Sequence, residues 1–247
     1  IKDTLSDPET AITAVRQFDE NRVSSILGPI TTSEHAAREA QIRGIPIITM
    51  TQKTGIPELG DYVFRIFLTP QMQIDTMLPY VINEFGIRRF AVLYPDEIYG
   101  DTFLKLFRDR VSDYGAALVA VESYKSEQTD FALQIKKLSK TQGRNEENYP
   151  ASRKRQVNRR FRHKKYEVAL DFDAIFIPDT AEKIAQIAPQ LAFYDIDRVL
   201  LMGTNLWHSD KLIHTARDYV QEAIMADAFY AEDSKESVQK FVTVFDE

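Results

Sequence analysis

The sequence predicts an α/β fold, and two observations carry the prediction. Short, nearly unbroken apolar runs alternate with amphipathic helical stretches along almost the whole chain. The apolar runs also lack the in–out alternation of a half-exposed strand, so they read as strands buried on both faces. That is the signature of parallel sheet covered by helices.

The elements follow in order. The opening "IKDT" reads as the inside of a strand, so the fold is expected to be truncated at its start. "VSSILGP" is a strand, followed by a helix from Thr31, and "PIITM" ends the next strand. After the Gly- and Pro-containing loop "QKTGIPELGD" comes the strand "YVFRIFL". Thr69 to Phe85 reads as a helix with Ile74, Met77, Leu78, Val81 and Ile82 on one face. "RRFAVLYP" is a strand, Thr102 to Tyr114 a helix, and "AALVAVESY" a strand. Asp130 to Leu138 is a helix with Phe131, Ile135 and Leu138 inward. "FDAIFIPD", "RVLLMG" and "EAIMADAFY" are strands, separated by helices near Glu182–Tyr194 and Asp210–Tyr219.

One segment breaks the pattern. "QGRNEENYPASRKRQVNRRFRHKKYE", residues 142–167, has no apolar periodicity and gathers eight Lys and Arg residues between Arg153 and Lys165. It reads as a solvated basic insertion, or as a patch for an acidic partner, an anionic lipid surface or a cell-wall polymer.

Composition narrows the function. The 247 residues suffice for one large domain or two modest lobes. A net charge of −6 argues against a general nucleic-acid binder, and no window approaches a membrane span. The absence of cysteine removes disulfides, thiolate metal sites and a cysteine nucleophile. No nucleotide-phosphate loop and no G-x-S-x-G elbow occur, and the four histidines lack metal-ligand spacing. No catalytic residue, metal site or cofactor is therefore assigned.

Binding chemistry gathers instead at the carboxyl ends of strands, where parallel sheets build their clefts. "GPITTSEHAA" brings Thr31, Thr32 and Ser33 to the start of a helix. Thr31 with Glu34 fits a capping box, and the same hydroxyls and free amides suit a carboxylate. "ITMTQ" adds Thr49 and Thr51 at the next strand end. "LYPDEIYGD" places Tyr94, Asp96, Glu97 and Tyr99 between strand and helix, with Gly100 allowing a tight approach. Asp179, closing "IFIPD", suits an ammonium or serves as the N-cap of the next helix. "MGTNLWHS" carries Asn205 and the single tryptophan, Trp207, which reads as a cleft wall or as packing. Donors at one group of strand ends and an acid at another make a clamp for a zwitterion such as an amino acid.

The segments "ILGPITTSEHAA", "GIPIITMT", "VLYPDEIYGDTF" and "DTFLKLFRDRVSDYGAALVAVESY", in this order and spacing, resemble type I periplasmic binding proteins of the leucine/isoleucine/valine-binding branch. "FDAIFIPDTAEKIAQIAPQLAFYDIDRVLLMGTNLWHS" is similar to the subgroup of penicillin-binding-protein activator lipoproteins, which share the fold. The resemblance implies two α/β lobes that close on a ligand, truncated here at both ends. Residues 1–67 and 206–247 would form the first lobe and 68–205 the second, with the basic insertion at 142–167. Hinge segments are expected near Leu68–Pro70 and Gly203–Leu206. It implies that Thr32, Ser33, Thr49 and Thr51 take a ligand carboxylate, with Tyr99 and Asp179 completing the site from the second lobe. It further implies a non-catalytic periplasmic protein that delivers a small polar ligand to an ABC permease. The alternative is a lipid-anchored activator that binds a penicillin-binding protein. Lys53 and the basic insertion depart from the family pattern.

Overall fold

A computed structural model of the protein describes residues 1–139 and 170–246, so the basic segment 142–167 lies outside the described residues. Contacts divide the chain into two units, Ile1–Thr69 and Pro70–Glu247.

The first unit starts with a helix that the strand-centred sequence reading passes over. In α1 (Pro8–Glu20), Asp7 accepts the Thr10 amide at 2.7 Å, and Pro8 sits at the start of the helix where no amide is needed. Ile1–Thr4, expected to lie in a strand, forms none. Three short strands follow, β1 (Ile26–Leu27), β2 (Ile47–Thr49) and β3 (Val63–Arg65), with α2 (Ser33–Arg43) between the first two. They pair in parallel in the order β1-β2-β3, aligning Ile26 with Ile47 and Ile47 with Val63. That row packs in one core with Ala11 and Val15 of α1 and Ala36, Ala37 and Ala40 of α2. Alanine on this stripe lets the helices approach closely. The next row, Leu27, Ile48 and Phe64, lies on the opposite face and is exposed. Glu39 ties α2 to α1, accepting from Arg16 at 2.9 Å and from Arg43 of its own helix at 2.8 Å.

The second unit is a five-stranded, all-parallel sheet in the order β5-β4-β6-β7-β8. Its strands are β4 (Arg89–Pro95), β5 (Ala117–Tyr124), β6 (Ala174–Phe176), β7 (Leu200–Gly203) and β8 (Ile224–Met225). The helices are α3 (Pro70–Phe85), α4 (Ile98–Asp113), α5 (Ala132–Ser139), α6 (Ala181–Phe193), α7 (Asp210–Ala216) and α8 (Glu236–Asp246). Alternate strand residues feed two cores. Phe90, Val92, Ala174, Phe176 and Met202 pack with α3 and α4, while Ala91, Leu93, Ile175, Ile177 and Leu201 pack with α5, α6 and α7. The predicted inward faces of α3 and α5 are buried at every named position.

Boundaries differ where local signals mislead. α4 starts at Ile98 rather than Thr102, because Gly100 belongs to its first turn instead of ending a loop. The strand expected at "YVFRIFL" shrinks to Val63–Arg65, and that at "EAIMADAFY" to Ile224–Met225. Residues 206–247, expected in the first lobe, lie in the second unit: α7 packs on α6, and β8 extends the sheet beside β7. The terminal α8 leaves Phe241 and Phe245 exposed.

Phe176 tests the core's dependence on β6. It is fully buried and stacks on Phe107 with centroids 4.6 Å apart. Phe176→Ala is expected to cost about 3–5 kcal/mol in urea unfolding, through lost burial and an unfilled cavity. A cost below about 1 kcal/mol would show that the core collapses around the gap.

Candidate functional site

An open parallel sheet forms a crevice where two neighbouring strands send their following helices to opposite faces. In the second unit this occurs between β4 and β6. The helix after β4 packs on one face and the helix after β6 on the other. At that point stand Tyr99, in the first turn of the helix after β4, and Asp179, in the loop after β6.

Tyr99 stands in the first turn of α4. A Cβ at Gly100 would lie 2.0 Å from the Pro95 carbonyl oxygen, so glycine allows this turn to press against the end of β4. The half-buried Tyr99 hydroxyl donates to Thr204 Oγ1 at 3.1 Å. Burial, reinforced by the nearby Asp179 charge, pushes the Tyr99 phenol above its ordinary range, against the bond to Thr204.

Asp179 ends the β6 run but does not cap α6. Thr180 is the N-cap, its side chain accepting the Lys183 amide at 3.4 Å. Asp179 Oδ1 instead accepts the Thr180 amide at 2.6 Å, and Oδ2 accepts the Tyr124 hydroxyl at 2.5 Å. The structure thus joins Tyr99, Asp179 and Thr204 in one cluster and adds Tyr124, which the sequence reading missed. Its only signal there was an aromatic at the carboxyl end of a strand.

Asn205 follows β7, half-buried, and its amide donates to the fully inward Gln73 side chain at 2.9 Å. Trp207 is a core residue, 2% exposed, lying so close over Gly203 that a Cβ there would meet its indole at 2.1 Å. Packing, the plainer of its two predicted roles, is the one the structure gives it.

In the first unit the hydroxyls divide by where their protons go. Thr32, not Thr31, is the N-cap of α2, and no capping box forms. Glu34 pairs instead with Lys53, and with Arg38 at 3.0 Å. Ser33 Oγ lies 2.5 Å from the Pro29 carbonyl and 2.8 Å from that of Ile30, so its proton is committed to backbone. Thr49, fully buried, donates to the Phe64 carbonyl at 3.0 Å. Thr51 accepts the Lys53 amide at 3.2 Å, and its hydroxyl makes no donation among the described residues. Thr32 Oγ1 is buried and has no partner among the described residues. A buried hydroxyl without a partner is costly. It lies at a helix start whose side-chain cap is unmade, a place that favours an anion.

Among the described residues no group of three or more His, Asp or Glu residues could hold a metal ion. No described helix is long and apolar enough to cross a membrane.

The profile of the periplasmic binding protein family matches residues 1–247. The chain belongs to the periplasmic binding protein family. A search of curated proteins finds no match. Among solved structures, a candidate branched-chain amino acid ABC transporter protein from Rhodospirillum rubrum is similar with a TM-score of 0.74 and 20% identity, over 99% of this chain and 63% of that one. The leucine-binding protein LivK of Thermotoga maritima matches with a TM-score of 0.55 and 18% identity, over 98% of this chain and 62% of that one. LivJ of Streptococcus pneumoniae, solved with isoleucine, matches with a TM-score of 0.55 and 18% identity, over 100% and 64%. This periplasmic-binding-protein chain therefore spans less than two thirds of the length of these structures.

Gly100→Ala is expected to cost about 1–3 kcal/mol in unfolding experiments, because the new methyl meets backbone rather than a mobile side chain; a neutral variant would mean that the turn relaxes freely. The hydrogen bonds from Lys53 and Arg38 hold the Glu34 carboxyl down to about 2. A carboxylate lowered on folding stabilises the fold above its unfolded pKa and loses that contribution as pH falls through the folded value. The stability gap between the parent and Glu34→Gln is therefore expected to be constant above about pH 5 and to close towards pH 2. A gap insensitive to pH would mean the ion pairs add nothing.

Proposed function

We propose that this chain is the binding region of a non-catalytic periplasmic solute-binding protein that captures a zwitterion, an amino acid or close relative, for an ABC permease. The observation that carries the reading is Asp179: a half-buried carboxylate at the switch point of the second unit's sheet, relieved of capping by Thr180. A carboxylate there suits a ligand ammonium. Within the first unit, the start of α2, where Thr32 and Thr51 make no hydroxyl donation among the described residues, is by itself suited to a carboxylate. In this reading Ser33 and Thr49 shape that edge through the carbonyls they hold. Tyr99 closes the ammonium side, with Asn205 beside it. The isoleucine in the Streptococcus pneumoniae structure supports the amino-acid class. Binding is the whole mechanism, since a ligand with higher affinity for the closed state shifts the population towards it.

Thermal shift against amino acids, small carboxylates and muropeptides tests the proposal. A ligand at a hundredfold its Kd adds about 2.7 kcal/mol of stability, which moves the melting point visibly. Asp179→Asn is expected to weaken a zwitterionic hit by about 1.5–3 kcal/mol in calorimetry. Equal affinity in parent and variant would remove Asp179 from the site. A flat response across the panel would favour the partner-binding activator over a solute receptor.

A further inference from the structure

We infer that Tyr124 is the positioning residue of this site: its buried phenol holds the Asp179 carboxylate in the orientation that meets the ligand's ammonium. The inference rests on the zwitterion reading above. Tyr124 ends β5 and is 2% exposed, so it does not itself touch a ligand at the crevice. Its ring is locked edge-on against Phe131 at 5.0 Å, which leaves the hydroxyl little freedom. That hydroxyl donates to Asp179 Oδ2 at 2.5 Å, while the Thr180 amide holds Oδ1 at 2.6 Å. A carboxylate gripped at both oxygens cannot turn, and each oxygen keeps a lone pair for an incoming N–H. The other tyrosine cannot substitute, because Tyr99 donates its proton to Thr204. Burial, then the charges of Asp179 and Glu97, push the Tyr124 phenol far above its ordinary range, so it stays a donor.

Tyr124→Phe removes the hydroxyl and keeps the ring. Two measurements on the full chain separate positioning from packing. The first is the side-chain carboxyl carbon NMR resonance of Asp179 at neutral pH, assigned with Asp179→Asn. Loss of the phenol's hydrogen bond is expected to displace that resonance in Tyr124→Phe. An unchanged resonance overturns the inference. The second is calorimetry with two probes, L-leucine and 4-methylpentanoate, its analogue without the ammonium. Tyr124→Phe is expected to weaken L-leucine about tenfold and to leave 4-methylpentanoate within about twofold. Equal losses for both probes would mean general distortion and overturn it. Adding Tyr124→Phe to Asp179→Asn is expected to cost no further discrimination, since the phenol acts only through the carboxylate. Should L-leucine fail to bind the parent, the choice of leucine or the zwitterion reading falls, while the carboxyl resonance still decides the role of Tyr124.

Discussion

The pairing of β4 with β5 on one side and β6 on the other is the constraint from which the second unit's site follows. Helices must cover both faces of a parallel sheet, because its strands are apolar on both. The chain leaves β4 through α4 on one face and leaves β6 through α6 on the other. Two loops that diverge from neighbouring strand ends cannot fill the space between them. Tyr99 and Asp179 stand at the edges of that space because of strand order, 80 residues apart in sequence.

Around this frame, chemistry is allotted by where each proton is spent. Ser33 and Thr49 give theirs to backbone carbonyls, Tyr99 to Thr204 and Tyr124 to Asp179. Among the described residues, Thr32 and Thr51 make no such donation. A row of hydroxyls that looks uniform in sequence is thus divided into structural ties and available donors. The pair Glu34–Lys53 fastens the loop after β2 to the first turn of α2, so Thr51 is held beside that helix start by charge as well as by chain connectivity.

Much of the fold was legible because burial imposes period. The inward faces of α3 and α5 and the doubly apolar strands β4 and β6 are written directly in side-chain type. Gly100 was legible as a close approach, and the structure shows what it approaches, the Pro95 carbonyl. The misses share a cause. α1, announced only by its Asp7 cap and Pro8, has no continuous apolar run to set it apart in the sequence. The capping box at Thr31 and the cap at Asp179 were plausible by spacing, but the neighbouring hydroxyls Thr32 and Thr180 took those positions. Adjacent candidates for one local role cannot be separated by pattern.

The sequence by itself determined the α/β class, the parallel sheets, the strand ends that carry polar chemistry and the family resemblance, because each depends on side-chain type at short spacing. Tertiary structure alone decided which of those polar groups are free. The Tyr124 phenol and the Asp179 carboxylate are 55 residues apart and meet only because β5, β4 and β6 lie side by side. Trp207 becomes core rather than cleft wall because Gly203 offers it a bare backbone to lie on. A hydrogen bond between distant residues depends on where folding delivers both ends, which no local pattern records.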